Sequence, residues 1–177
     1  MKYSTLMKKL ITLTLMLLVG ATTIFAQNSK KGNYTGKGGT PHEVMTAKNI
    51  TISYGRPYKK GRDIFGGLEG YGKVWRTGAD DATEITFDKD VVFGDKQVKA
   101  GTYTLFTIPN KTEWTVILNS ELGQWGAYKY DKTKDVAKVV VTPKHLDKVV
   151  EQLTITDTND MLNIEWDQTS VTVPMKF

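Results

Sequence analysis

From Ile50 onward the apolar residues of this chain recur at every second position, and that period narrows the folds open to it more than any other feature. Ile50, Ile52 and Tyr54 alternate with Thr51 and Ser53, and Ile85 and Phe87 share one face of the 84–88 segment. Trp114 to Asn119 alternates again, as do Leu162, Ile164 and Trp166, and then Val171, Val173, Met175 and Phe177. A period of two describes a strand with one face against a core and the other toward water. The 102–109 segment is dense in threonine, aromatics and isoleucine, and Val136 to Val141 is a β-branched run stopped by Pro143, both suited to a pleated surface. Gly94-Asp95 and Asn110-Lys111-Thr112 supply turn chemistry between them. About nine strands of this kind predict an all-β fold, a single antiparallel β-sandwich with long glycine-rich loops. One segment departs from the pattern: Leu146, Val149, Val150 and Leu153 sit at helical spacing, so a short turn of helix or loop is expected there before a strand. Pro174 cannot donate to a ladder, which places its strand at an edge or turns that position to solvent.

The first 26 residues read differently. Lys2, Lys8 and Lys9 precede the apolar run Leu10–Val19, and small residues lead to Ala26-Gln27, the pattern of a secretory signal peptide cleaved at that bond. The apolar run is shorter than the roughly 20 residues a membrane span needs, so no transmembrane span is expected after cleavage. Residues 27–40 are polar, rich in lysine, glycine and asparagine, and read as a disordered leader; 41–177 is then a single β domain. The expected location is periplasmic or extracellular. With no cysteine in the chain it is not a lipoprotein, and thiol catalysis, disulfides and cysteine metal sites are excluded. The whole chain carries 24 Lys+Arg against 19 Asp+Glu, but three of those lysines lie in the signal segment, so the remainder has a net charge of only +2. That is a poor basis for nucleic-acid binding, and none is expected.

All three arginines, Arg56, Arg62 and Arg76, fall in one glycine-rich stretch, and every other basic residue is lysine or histidine. The guanidinium is a flat, permanently charged fork that grips a carboxylate or phosphate through two parallel bonds. Two readings follow. Either the three converge on an anionic ligand, with glycine allowing close approach of the backbone, or they pair internally with Asp63, Asp80, Asp81 or Glu84 and lock long loops. Asp80, Asp81 and Glu84 themselves admit a carboxylate pair for glycoside hydrolysis or an oxygen cluster for calcium, although no calcium-loop pattern is present.

The aromatics add a second theme. Trp125, in Gly-Gln-Trp-Gly-Ala-Tyr, lies in a predicted loop with Tyr128 and Tyr130, an arrangement suited to stacking a carbohydrate or to covering the core. Trp114 and Trp166 alternate with strand residues and belong to the core; Trp75 can pack inward and aim Arg76 outward. His42 and His145 have no metal-ligand spacing, and neither a nucleophile elbow nor a phosphate-binding loop of the nucleotide type is present. No cofactor is implied.

Tyr54-Gly-Arg-Pro57 and Val74-Trp-Arg-Thr-Gly-Ala79 carry a family resemblance, which continues through Ala100–Phe106, Ile108-Pro109, Gln124–Tyr128, Tyr130-Asp131 and Glu165-Trp166. Over residues 41–177 the chain resembles the bacterial "domain of unknown function 2911" family of exported envelope proteins. The resemblance implies export and a compact single domain, and supplies no activity. Members often carry asparagine at the position of Asp80 and glutamate at that of Asp81, so a role needing a side-chain amide at 80 is not carried over.

The expected function is a small binding module for a polar or anionic ligand: a glycan, peptide or metabolite. The two long connections, 55–83 and 120–135, are expected to meet and to place Arg56, Arg62, Trp75, Arg76, Asp80 and Asp81 near Trp125 and Tyr128. The alternatives are a hydrolase of envelope carbohydrate working through paired carboxylates, and a purely structural or interaction protein.

Overall fold

The structure, a computed structural model, describes residues 38–177; the signal segment and most of the expected leader lie outside the described residues. Among the described residues ten strands form two antiparallel sheets that face each other. The larger sheet has the order β1-β2-β3-β6-β7-β8, built from His42–Ala47, Ile50–Gly55, Glu84–Phe87, Gly101–Ile108, Trp114–Asn119 and Asp135–Val141. The smaller has the order β5-β4-β10-β9, from Lys96–Val98, Val91–Phe93, Met161–Lys176 and Lys144–Asp157. The fold is a β-sandwich, and the inward positions are those the alternation marks. Ile50, Ile52 and Tyr54, Ile85 and Phe87, Trp114 and Val116, and Leu162, Ile164 and Trp166 all join one core cluster. Each large side chain of this kind contributes roughly 1.5–3 kcal/mol by leaving water.

Two expectations are corrected. The 144–153 segment is neither helix nor loop but the first two-thirds of β9, a 14-residue strand. Its apolar residues mislead because this arm is largely exposed: Val149 is half-exposed and Leu146 and Val150 are only partly buried, so no core enforces an alternation. The two alternating runs at the C-terminus are limbs of one element, β10, with register shifts on both sides of Asp167, where φ is +55°. Ser170 donates to Glu165, Thr172 to Asn163, and the Met175 N–H to the Asp160 carbonyl, so the second limb returns beside the first. Pro174 is exposed, as expected, and its carbonyl accepts from the Gly94 N–H at 2.8 Å. The β9–β10 turn places Asn159 and Asp160 at positive φ, a conformation both residue types tolerate, and Thr158 and Met161 close it with reciprocal backbone bonds.

What positions the site is the covering of the larger sheet's outer face. Phe106 and Ile117 point away from the main core and would lie bare. Instead Val74 and Ala82 from the first long connection, and Ala127 and Tyr130 from the second, pack over them. The two connections therefore meet on this face. Backbone bonds Ala82 N–Gln124 O (2.9 Å) and Gly126 N–Asp80 O (3.0 Å) join them, with Asp81 and Trp125 paired as an isolated bridge.

Candidate functional site

Beyond Gly55 the chain leaves the larger sheet and lies along β9 of the smaller one. Lys59 N donates to Glu151 O, Leu153 N donates to Pro57 O, and Tyr58 pairs with Gln152. Arg56 locks this crossing. Its Nε donates to the Leu153 carbonyl at 2.9 Å, Nη2 to Thr154 Oγ1 at 3.0 Å, and Nη1 is ion-paired with Glu43 of β1. A turn at Lys60 and Gly61, both at positive φ, then reverses the chain. Arg62 folds back over that turn, donating from Nε to Lys59 O at 2.9 Å and from Nη2 to Tyr58 O.

Further on, Trp75 pairs with Thr107 through reciprocal backbone bonds, which extends the larger sheet locally. Its ring turns inward and is 2% exposed, stacked on Trp166 at 5.9 Å with an interplanar angle of 19°, while Phe65 meets Trp114 edge-on at 4.6 Å. The next residue on the alternating backbone, Arg76, therefore faces the other way. Thr77 follows with φ +54°, rare for a β-branched residue, and is held by its hydroxyl bond to Thr107 and by Thr83 donating to its carbonyl. Asp80 also takes positive φ, and its carboxylate accepts the Thr40 N–H at 3.1 Å. Such locally strained backbone persists only where the surroundings over-determine it.

These elements enclose a hollow of about 450 Å³ whose charged lining is Lys60, Arg62, Arg76, Glu69 and Asp80, with Trp166 and Tyr58 among its apolar walls. Arg76 is its unusual member. Among the described residues its side chain makes no hydrogen bond or ion pair, and its Nε is completely buried. Glu69 stands in the field of Arg76 and Arg62, yet burial outweighs them and pushes its carboxyl up to about 7. Burial thus favours the protonated form of Glu69, and Lys60, Arg62 and Arg76 outnumber the two acids, so the hollow carries an excess of positive charge.

The remaining candidates lie elsewhere. Asp81 lines a second, nearly closed space of about 10 Å³ with His42, Ser53, Glu84 and Gln124, room for about one water. His42 Nε2 is bonded to Ser53 Oγ at 2.8 Å, and Glu84 accepts the Gly123 N–H at 2.8 Å. Burial holds the His42 ring below the ordinary histidine value, against the pull of Asp81 and then Asp80. Trp125 and Tyr128 line a third hollow of about 600 Å³. Trp125 is 44% exposed and so does not fold back over the core.

The expected single cluster is therefore corrected in its geometry. Arg62, Arg76 and Asp80 share a hollow. Arg56 is spent on the sheet crossing, Trp75 is core, Asp81 faces the small polar space, and Trp125 with Tyr128 faces a separate surface. The internal-pairing reading holds for Arg56, though its acid is Glu43 rather than an acid of the loop. Glu69, Lys60 and Trp166 were missed. Only one faint signal pointed to Glu69: it is the sole acid inside the Gly66–Gly72 run.

Among the described residues no group of three or more histidine, cysteine, aspartate or glutamate side chains is placed to hold a metal ion, and no helix is long and apolar enough to cross a membrane. Residues 39–175 match the family model described as "Protein of unknown function (DUF2911)", the family the Trp-Arg-Thr-Gly-Ala segment resembles. No curated protein and no solved structure matches the chain.

Proposed function

We propose that this chain, which belongs to the DUF2911 family, is an exported binding module that takes a small anionic ligand into the hollow lined by Arg76, Arg62 and Lys60. The ligand class is a carboxylate, phosphate or sulfate. One observation carries the reading: a guanidinium with a completely buried Nε and no acid bonded to it, set in a wall of an open hollow. Leaving a buried N–H donor without an acceptor costs about 1–3 kcal/mol, and a bound anion offsets that cost with a charge-assisted bond. Lys60 and Arg62 add charge at the same hollow, and Arg62 uses only Nε and Nη2 in its own turn. Export rests on the pattern of the first 26 residues.

The test is a thermal-shift series on the 38–177 domain with phosphate, sulfate, citrate and acidic sugars at constant ionic strength. A ligand that binds the folded state alone raises the melting temperature with its concentration. The expected result is a shift from at least one of these anions that disappears in Arg76→Gln. Equal shifts in the wild type and in Arg76→Gln would sink the proposal.

A second reading has one observation in its favour: Glu69, raised to about 7, shares the hollow with Asp80. A protonated carboxyl beside another carboxylate is the pairing that glycoside hydrolysis requires. It replaces the pair expected among Asp80, Asp81 and Glu84, because Asp81 and Glu84 face a space too small for a sugar. Release of reducing ends from envelope polysaccharide, lost in Glu69→Gln, would favour it over binding alone.

A further inference from the structure

The third hollow has a chemistry of its own. Trp125 and Tyr128 are 44% and 86% exposed, and Leu122 beside them is also exposed, a costly display for a surface loop. The loop is not loose. Trp125 is bridged to Asp81, its two neighbours are bonded to Ala82 and Asp80, Gly123 N is held by Glu84, and Gln124 Nε2 is bonded to Glu121 O. Gly126 sits at φ +67°, and a Cβ there would fall 2.7 Å from the Tyr128 ring, so glycine lets that ring lie close against the loop backbone. The two rings are presented on a fixed frame, which lowers the ordering cost of binding.

The polar groups lining the same hollow narrow the ligand. Glu121 and Asp131 outnumber Lys129, so the charge of the lining is opposite to that of the arginine hollow and disfavours anions. Carboxylates accept hydrogen bonds, and exposed rings offer flat apolar faces. A ligand with C–H faces for the rings and O–H donors for the carboxylates is a neutral sugar.

We propose that Trp125 and Tyr128 form a stacking site for a neutral oligosaccharide, with Glu121 and Asp131 accepting its hydroxyls. The site is separate from the anion hollow, and the two are joined through the backbone of residues 80–82 and 124–126. Binding here tethers the domain to a polysaccharide surface.

The test uses the fact that the other three tryptophans, Trp75, Trp114 and Trp166, are buried, so acrylamide quenching reports mainly on Trp125. Quenching is measured with chitotetraose, cellotetraose, xylotetraose and maltotetraose, and with an uncharged apolar tetrapeptide for comparison. At least one tetrasaccharide is expected to lower the quenching slope about two-fold. Its affinity, followed by calorimetry, should fall at least ten-fold in Trp125→Ala and in Tyr128→Ala and stay unchanged in Arg76→Gln. Tyr128→Ala guards against a folding defect, because that side chain is almost wholly in water. Protection by the tetrapeptide alone, or by no sugar at millimolar concentration, would overturn the proposal. So would sugar binding that survives both aromatic substitutions.

Discussion

Arg56 Nε donates to the carbonyl of Leu153 at 2.9 Å, a bond between residues 97 positions apart that ties the end of β2 to β9 and so joins the two sheets. The same guanidinium reaches Glu43 and Thr154, which makes it a three-way clamp rather than a ligand donor. Arg56→Ala is expected to lower stability by about 2 kcal/mol, the scale for charged hydrogen bonds in a half-buried setting. Urea midpoints measure this. Anion binding, compared below the melting transition, should be retained.

Arg76 should behave in the opposite way. Its buried Nε–H has no hydrogen-bond acceptor, so the uncomplexed domain carries the cost of one unsatisfied donor. Arg76→Met keeps much of the volume and removes the charge. Stability of the ligand-free protein is expected to hold or rise by about 1 kcal/mol, while anion-induced stabilisation vanishes. A fall of more than about 2 kcal/mol in the ligand-free protein would show that the guanidinium is structural.

Glu69 gives a pH signature. Its folded value of about 7 lies above the ordinary 4.5, so between those values the folded state holds a proton that the unfolded chain has released. Its contribution to stability is therefore complete below about 4.5 and is lost as pH rises through about 7. His42, held below its ordinary value, acts in the other direction, so the measurement is the difference between wild type and Glu69→Gln. The wild type should lose stability relative to the variant across this window. Anion affinity should also decline as pH rises through about 7, because an ionised Glu69 repels the ligand, and Glu69→Gln should flatten that profile.

Gly55 tests how tightly the loop seats on the sheet. A Cβ at this position would lie 2.2 Å from the carbonyl oxygen of Ala79, a backbone atom that cannot swing aside. Gly55→Ala is expected to cost about 1–3 kcal/mol and to disturb the hollow, since Ala79 and Asp80 line it. Chemical-shift changes centred on 76–83 would report the displacement.

The site was only partly legible before folding. Arg62, Arg76 and Asp80 were marked by the confinement of arginine to a glycine-rich stretch, and they do share a hollow. Nothing local distinguished Arg56 from them, because its partners Leu153 and Thr154 belong to a strand about a hundred residues downstream. Trp75 was open to either orientation. Its pairing with Thr107 and its stacking on Trp166 settled it inward, and that in turn set the direction of Arg76.

The alternation of apolar residues by itself determined that this chain makes strands and which faces those strands bury, because side-chain direction in a strand is a property of neighbouring residues. It failed along 144–153, where one arm of a long hairpin lies mostly in water and no core selects the pattern. Only the tertiary structure decided which charges meet and which stay unpaired. A guanidinium is satisfied by whatever oxygen the fold brings within about 3 Å, and chain separation says nothing about that distance. Folding split the one expected cluster into an arginine hollow, a small polar space beside Asp81 and a separate aromatic surface at Trp125 and Tyr128, and the two hollows large enough for a ligand carry opposite charge.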